Sequence, residues 1–133
     1  MTDDELIAAA KKIRDRAHAP YSRFHVGAAI LDEAGRLHIG CNVENAAYPQ
    51  GACAEANAIG AMVAGGGRRI AAIAVAGGPA GAEPIADCTP CGGCRQRIRE
   101  FADADTRILM PDDAGGVQSF SIDELLPQSF GLA

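Results

Sequence analysis

The sequence lacks the features that direct a protein into a membrane. No apolar run in its 133 residues approaches the roughly 20 residues that span a bilayer. The first residues, Met1 to Glu5, are acidic where a secretory signal begins with basic residues. We therefore expect a cytoplasmic protein with no membrane partner.

The sequence also has few basic residues. Its 12 Lys and Arg are outnumbered by 17 Asp and Glu, which gives a formal net charge of −5. A protein that binds the backbone of a nucleic acid neutralises many phosphates with clustered cations. The charge balance therefore argues against a nucleic acid polymer as partner, and a small, weakly charged ligand suits this surface better.

Tryptophan is absent, and no repeat, linker or low-complexity segment interrupts the chain. The hydrophobic fraction of 48% and the charged fraction of 22% are those of an ordinary globular protein, and they exclude a disordered one. A chain of this length has room for one modest core. We expect a single domain over residues 1–133.

Hydrophobic periodicity and turn residues predict alternating helices and strands. The predicted helices cover 2–18, 53–64, a segment that begins near Cys91, and 122–126, and the predicted strands cover 24–31, 36–43, 70–76, 106–110 and 117–121. Helix 53–64 is apolar on nearly every side, which predicts burial almost all round. This order is typical of an α/β sandwich in which helices cover a five-stranded sheet.

Five cysteines are an odd number, so they cannot all form internal disulfides. Cys91 and Cys94 lie one turn apart at the start of a predicted helix, where two thiols can bind one metal ion. Cys53 and Glu55 lie at the start of another. Residues two apart on a helix point in nearly opposite directions. Cys53 and Glu55 can therefore face one point only if Cys53 lies where the chain turns into the helix.

Three thiolates and a carboxylate at one point would suit a catalytic zinc ion. Zinc prefers four ligands, and three protein ligands leave one position for water. Glu55 would move protons and would not bind the metal. Two alternatives stay open at this point: a closed Cys₄ zinc site that includes Cys88 and Cys53, and a thiol–disulfide pair at Cys91 and Cys94.

Motifs along nearly the whole chain resemble those of the small homotetrameric cytidine deaminases. They are YSRFHVGAAI at 21–30, GCNVENAAYP at 40–49, CAE at 53–55, TPCGGCRQ at 89–96 and ELLPQSF at 124–130. The resemblance implies a three-layer fold with a mixed sheet. It also implies hydrolytic deamination of cytidine and deoxycytidine to uridine and deoxyuridine, in pyrimidine salvage. A deaminase of a related nucleoside such as blasticidin S is the nearest alternative, and a structural zinc-binding module is another.

The resemblance also assigns roles to individual residues. It implies that Cys53, Cys91 and Cys94 bind one zinc ion per chain and that Glu55 shuttles protons. The substrate-binding residues that it implies form two groups, one in the chain's own site and one that reaches a neighbouring subunit's site in a homotetramer. The first group is Phe24 beside the base, Asn42 and Glu44 at the ribose and the backbone of Ala54 at the base carbonyl; the second is Ala46, Tyr48 and Phe130.

One position departs from the family pattern. Members of the family often have an arginine directly after the CAE motif, and here that residue is Ala56. Three thiolates on a divalent metal carry a formal charge of −1, which that arginine offsets. We expect the two helix N-termini, with Arg95 or another nearby cation, to compensate here.

Overall fold

One mixed sheet contains the five strands of the computed structural model, which describes residues 1–132. The strands are β1 (Phe24–Asp32), β2 (Leu37–Cys41), β3 (Ile70–Pro79), β4 (Arg107–Pro111) and β5 (Val117–Phe120). Their order across the sheet is β2-β1-β3-β4-β5. The β3–β4 pair is parallel and the other pairs are antiparallel. The predicted mixed five-stranded sheet is confirmed.

Helices cover both faces of this sheet. They are α1 (Asp3–Arg14), α2 (Ala54–Ala64), α3 (Gly92–Phe101) and α4 (Ile122–Leu125), with a short 3₁₀ turn at Tyr48–Gln50. Within residues 1–132, no helix combines the length and the apolar character needed to cross a membrane.

The alternation of side chains along β3 separates two hydrophobic clusters. Ala72, Ala74 and Ala76 belong to the cluster that contains the buried side chains of α1. Ile73 and Val75 point the other way and belong to the cluster formed with α2, α3 and α4. The fold therefore has three layers, as predicted, and among the helices of residues 1–132 it is α1 that covers one face.

Two glycines let helices lie directly against the sheet. A Cβ atom on Gly27 of β1 would lie 2.0 Å from the carbonyl oxygen of Ala10 in α1. A Cβ atom on Gly40 of β2 would lie 2.4 Å from the backbone nitrogen of Ala58 in α2. Since α2 begins next to Cys53, the contact at Gly40 helps to place this cysteine and Glu55 over the sheet.

Two predicted elements end at least two residues early in the structure, because tertiary hydrogen bonds end them. The first helix was expected to reach residue 18 but ends at Arg14; the N–H of His18 donates to the carbonyl oxygen of Asn42 at 3.0 Å instead of continuing the helix. The second strand was expected over 36–43 but ends at Cys41. Beyond it, the side chain of Asn42 takes over the pairing with β1: it accepts from the N–H of Val26 at 2.8 Å and donates to the carbonyl oxygen of Phe24 at 2.9 Å.

The prediction that helix 53–64 is buried almost all round is wrong for this chain. Gly60, Ala61 and Ala64 on the outer side of α2 are exposed, whereas Ala58 and Met62 are buried against the sheet. The hydrophobic effect scales with apolar area. Small residues therefore lose little by facing water, and an alanine-rich helix can look more buried in sequence than it is.

Asp32 fixes the turn between β1 and β2. Its buried carboxylate accepts hydrogen bonds from the backbone N–H groups of Ala34 and Arg36, from Arg36 Nε at 3.0 Å and from His38 Nε2 at 2.8 Å. Arg36 Nη1 also donates to the carbonyl oxygen of Gly65 at 2.8 Å, which ties this turn to the end of α2. The hydrogen bond with His38 is the main cause that lowers the pKa of Asp32 from 3.8 to about 2.

This lowered pKa predicts how stability depends on pH. The contribution of ionised Asp32 is fully present above its unfolded-state pKa and is lost as the pH falls through the folded-state value of about 2. Thermal unfolding followed by circular dichroism should show a midpoint that falls as the pH is lowered from 3.8 to about 2. Asp32→Asn should have a lower midpoint at neutral pH and a shallower fall in acid. Equal acid slopes for the two proteins would contradict this role.

Candidate metal centre and substrate cavity

Three cysteine sulfurs from two separate segments meet at the starts of two helices. Cys53 is the N-cap residue of α2 and Cys91 is the N-cap residue of α3, both with extended backbone. Cys94 lies in the first turn of α3 and is fully buried. The three Sγ atoms all lie within 4.8 Å of one another. The expectation that Cys53 lies where the chain turns into the helix is confirmed.

The donor set and its spacing fit a zinc ion. Zinc–sulfur bonds of about 2.3 Å in a tetrahedral site place the sulfurs about 3.8 Å apart. The observed separations need only small side-chain adjustments to reach that value. Three thiolates are soft donors that select zinc over the hard cations magnesium and calcium. The cluster therefore can hold one zinc ion with three protein ligands.

The backbone around the cluster favours negative charge. Because the first N–H groups of a helix have no acceptor within the helix, the N-termini of α2 and α3 are partly positive. A hydrogen bond from the backbone N–H of Cys94 is the main cause that lowers the pKa of the Cys91 thiol. Cys91 is therefore the thiol that most readily becomes a thiolate.

Burial acts in the opposite direction on the other two thiols. It raises the pKa values of Cys53 and Cys94, and the nearby charge of Glu55 adds to both increases. Without a cation, these two thiols keep their protons at neutral pH. A divalent cation stabilises the thiolates and displaces those protons, so metal binding at this cluster is coupled to proton release.

Glu55 is buried beside the cluster without belonging to it. Its residue is 5% exposed, and burial raises the pKa of its carboxyl group above the ordinary value. Its charge acts on the thiols of Cys53, Cys88, Cys91 and Cys94, which places the carboxyl group among them. A raised pKa brings a carboxyl group closer to the pH at which it can both accept and give a proton.

A cavity of about 670 Å³ opens over Glu55, Cys53 and Cys91. This volume is within the range of pockets that bind small molecules. The predicted substrate-binding residues that line it are Phe24, Asn42, Glu44, Tyr48 and Ala54. The structure therefore brings five of the seven predicted substrate-binding residues to the cavity that contains the candidate metal centre.

Asn42 and Glu44 line this cavity from a loop, since β2 ends before them. Glu44 Oε1 accepts hydrogen bonds from the backbone N–H groups of Tyr21 at 2.9 Å and Ser22 at 3.1 Å. A hydrogen bond with Ser22 is the main cause that lowers the pKa of the Glu44 carboxyl group. The amide nitrogen of Asn42 carries two hydrogens, one of which is used by the carbonyl oxygen of Phe24.

Ala46 and Phe130 do not line the cavity of their own chain. Ala46 is exposed, and the Phe130 residue is 69% exposed. Tyr48, at the cavity rim, is 78% exposed and contacts Tyr21 edge to face, with the ring centroids 6.3 Å apart. The role of these residues at a neighbouring subunit's site stays a prediction.

Cys88 is separate from the sulfur cluster. Of residues 1–132, the atoms that could hold one metal ion are the sulfurs of Cys53, Cys91 and Cys94. The Cys88 thiol also lines the cavity, but its Sγ lies against β3, where a Cβ atom on Gly77 would be 2.5 Å away. The closed Cys₄ site that the sequence left open is therefore not formed in this structure.

The arginine suggested by the sequence as a compensating cation has another role. Arg95 donates to the carbonyl oxygens of Pro90 and Leu125, both at 2.7 Å, and to Thr89 Oγ1 at 3.1 Å. It braces the loop that precedes Cys91. The cation that contacts the cluster is Arg97, whose Nη1 donates to Cys94 Sγ at 3.6 Å.

Sequence reasoning also missed Arg14, which holds together two strand ends next to the cavity-lining residues Phe24 and Val26. Its buried side chain donates to the carbonyl oxygens of His25, Pro79 and Ala82, at 3.0, 2.7 and 2.7 Å. These contacts join the start of β1 to the end of β3 and the loop after it. The helical periodicity around Arg14 gave no signal of this role, because its partners are distant in sequence.

Comparisons with known proteins agree on one family. The family model described as "Cytidine and deoxycytidylate deaminase zinc-binding region" matches residues 1–110. A cytidine deaminase of Sporosarcina psychrophila is 40% identical over 130 residues, which are 98% of this chain and 92% of the relative. Another, from Halalkalibacterium halodurans, is 40% identical over 125 residues, or 94% of this chain and 91% of the relative.

Solved structures give the same result. The crystal structure of cytidine deaminase from Burkholderia pseudomallei is 42% identical in sequence and superposes with a TM-score of 0.86, covering 98% of this chain and 100% of that chain. The cytidine deaminase structure from Mycobacterium tuberculosis is 35% identical with a TM-score of 0.82, covering 99% and 100%. The similarity thus extends over nearly the entire chain.

Proposed function

Because this chain belongs to the cytidine and deoxycytidylate deaminase family, we propose that it catalyses the zinc-dependent hydrolytic deamination of cytidine and deoxycytidine. The products are uridine or deoxyuridine and ammonia. The observation that carries the proposal is the meeting of three cysteine sulfurs beside buried Glu55, at the wall of a cavity large enough for a nucleoside.

Cys53, Cys91 and Cys94 would hold the zinc ion. A zinc ion bound there would act as a Lewis acid and lower the pKa of a coordinated water towards neutrality. The protein's part is to keep the three sulfurs on two rigid helix starts and to keep Glu55 beside them. The partly positive helix N-termini stabilise the thiolate form of the cysteines, and the thiolate is the form that binds a metal cation.

Glu55 would carry the protons of the reaction. Water adds its oxygen to C4 of the pyrimidine ring, and Glu55 accepts one water proton and gives it to the ring nitrogen. The second water proton is then transferred to the exocyclic amine, the carbon–nitrogen bond breaks, and ammonia leaves. Both protons come from the water, so the carboxyl group returns to its starting state. Burial, which raises the pKa of Glu55, suits it to this alternation.

The cavity walls would hold the nucleoside in position for this reaction. Phe24 provides an apolar wall beside the base. Asn42 has a second amide hydrogen for a ribose hydroxyl, and the Glu44 carboxylate can accept from another. The backbone N–H of Ala54, in the first turn of α2, has no acceptor within the helix and can donate to the base carbonyl.

We also propose that the protein consists of one catalytic domain that works as a homotetramer in the cytoplasm, in pyrimidine salvage. The exposed aromatic rings of Tyr48 and Phe130 support shared active sites, because exposed aromatic residues are enriched where subunits meet. Ala46 lies on the same exposed segment as Tyr48. Five free cysteines support a reducing compartment.

A substrate panel tests the proposed reaction. Zinc-replete protein is mixed with cytidine, deoxycytidine, cytosine, cytidine monophosphate and blasticidin S, and ultraviolet absorbance and ammonia are measured. We expect turnover of the two nucleosides in preference to the free base and the monophosphate, because the cavity offers ribose contacts and Glu44 would repel a phosphate. No reaction with either nucleoside would contradict the proposal, and turnover of blasticidin S alone would favour that alternative.

A further inference from the structure

Arg97 lies at the edge of the sulfur cluster, in a position that the proposed reaction does not use. Its Nη1 donates to Cys94 Sγ at 3.6 Å, within the range for a hydrogen bond to sulfur. The guanidinium also lies over the first turn of α3, since a Cβ atom on Gly93 would be 3.3 Å from the same nitrogen. The side chain therefore bends back over the start of its own helix, towards the cluster.

The charge of the site favours a cation of this kind. Three thiolates and one Zn²⁺ leave a formal charge of −1, and Glu55 in its proton-accepting form adds a second negative charge close by. Each helix N-terminus offsets roughly half an elementary charge. The N-termini of α2 and α3 together therefore balance about one of the two charges. One positive side chain near the sulfurs would balance the other.

Arg97 is the cation placed to do this. Arg97 contacts Cys94, and its positive charge also acts on Glu55. Burial raises the pKa of the Glu55 carboxyl group, and the charge of Arg97 opposes part of this rise. Arg95, the other arginine near the start of α3, is held by hydrogen bonds to Thr89, Pro90 and Leu125. Arg97 thus contacts one member of the cluster and acts on the acid beside it.

We propose that Arg97 is a positioning residue that stabilises the negatively charged zinc–cysteine cluster through its contact with Cys94. Helical geometry explains its position. Residues three apart on a helix lie on the same side, and Arg97 follows Cys94 by three residues. The equivalent position after Cys53 is Ala56, which carries no charge. The cation is therefore supplied from α3 in this chain, and the proposal depends on zinc binding at the three cysteines.

Substitutions at position 97 separate the charge from the hydrogen bond. Arg97→Gln keeps an N–H donor but loses the positive charge, whereas Arg97→Lys keeps the charge with a different shape. A third variant combines Arg97→Gln with Ala56→Arg, which moves the positive charge to the equivalent position of α2. Arg107→Gln serves as the matched control, since Arg107 pairs with Asp3 on the surface, away from the cluster.

The primary measurement is the zinc dissociation constant of each protein, from competition with a chromophoric chelator. Loss of a group that supports metal ligands weakens binding by roughly 10–100-fold. Because the Arg97 residue is exposed and its charge partly screened by solvent, we expect Arg97→Gln to weaken zinc binding by about tenfold. We expect Arg97→Lys, Arg107→Gln and the double variant to stay within about threefold of the wild type.

Cobalt spectra and thermal unfolding identify the cause of any change. The sulfur-to-cobalt absorption bands of Co²⁺-loaded protein should show three sulfur ligands in every variant, and unfolding midpoints should be similar. Zinc affinity of Arg97→Gln equal to that of the wild type would overturn the proposal. Equal weakening of Arg97→Gln, Arg97→Lys and the double variant would also overturn it. A wild-type protein that binds no zinc would instead refute the proposed function itself.

Discussion

Glu55→Gln should lose nearly all turnover of cytidine while it keeps its zinc and its fold. Glutamine has almost the same size and shape, but its amide cannot accept and return protons. General acid–base catalysis by one positioned group contributes roughly 10²–10⁴ in rate, so kcat/KM should fall by about that factor. Because Glu55 is buried and its pKa is raised by burial, the neutral amide should be tolerated at this position.

The measurement pairs steady-state kinetics with zinc content and thermal unfolding. Zinc per chain in Glu55→Gln should equal that of the wild type, since Glu55 is outside the group of atoms that can hold the metal. The unfolding midpoint should be equal or higher, because an ionisable buried group has been replaced by a neutral one. Full activity of Glu55→Gln would exclude the proton-shuttle role. Loss of zinc with activity would make Glu55 a ligand instead.

Cys94→Ala should lose zinc and activity together, whereas Cys88→Ala should keep its zinc. The two cysteines form a matched pair, since both thiols lie near Glu55 and only Cys94 belongs to the sulfur cluster. Structural zinc sites bind with about 10–16 kcal/mol shared among four ligands, or roughly 3 kcal/mol for each ligand. Removing Cys94 should therefore weaken zinc binding by about a hundredfold or more.

Chelator competition and kinetics on the two variants decide between an open and a closed zinc site. In an open site with three sulfur ligands, Cys88→Ala binds zinc as tightly as the wild type. In a closed site with four sulfur ligands, Cys88→Ala would lose zinc as Cys94→Ala does, and the catalytic proposal would fail. Unchanged zinc affinity in both variants would mean that the metal is bound elsewhere.

The metal centre could be predicted from the sequence because the spacing of its cysteines and of Glu55 limits where the two helices can begin. Cys53 and Glu55 are two residues apart, so a shared target required Cys53 to precede the helix, and it is the N-cap residue of α2. Cys91 and Cys94 were predicted to lie at a helix start, and α3 begins directly after Cys91. In both cases the constraint lies within a few residues of the chain.

Features that depend on distant contacts were not predictable in the same way. The end of α1 is determined by pairing of His18 with the segment after β2, and the end of β2 by the side chain of Asn42. The sequence suggested Arg95 because it directly follows Cys94. Consecutive residues point to different sides of a helix, however, and it is Arg97, three residues after Cys94, that contacts this cysteine. To predict such features, one must know which residues of distant segments pack against each helix and strand.

X-ray absorption at the zinc edge tests the central claim most directly. The account predicts one zinc ion per chain with three sulfur neighbours at about 2.3 Å and one lighter oxygen neighbour at about 2.0 Å. The same three sulfurs should be found in the Glu55→Gln protein. Four sulfur neighbours, or a purified protein that binds no zinc, would contradict the account.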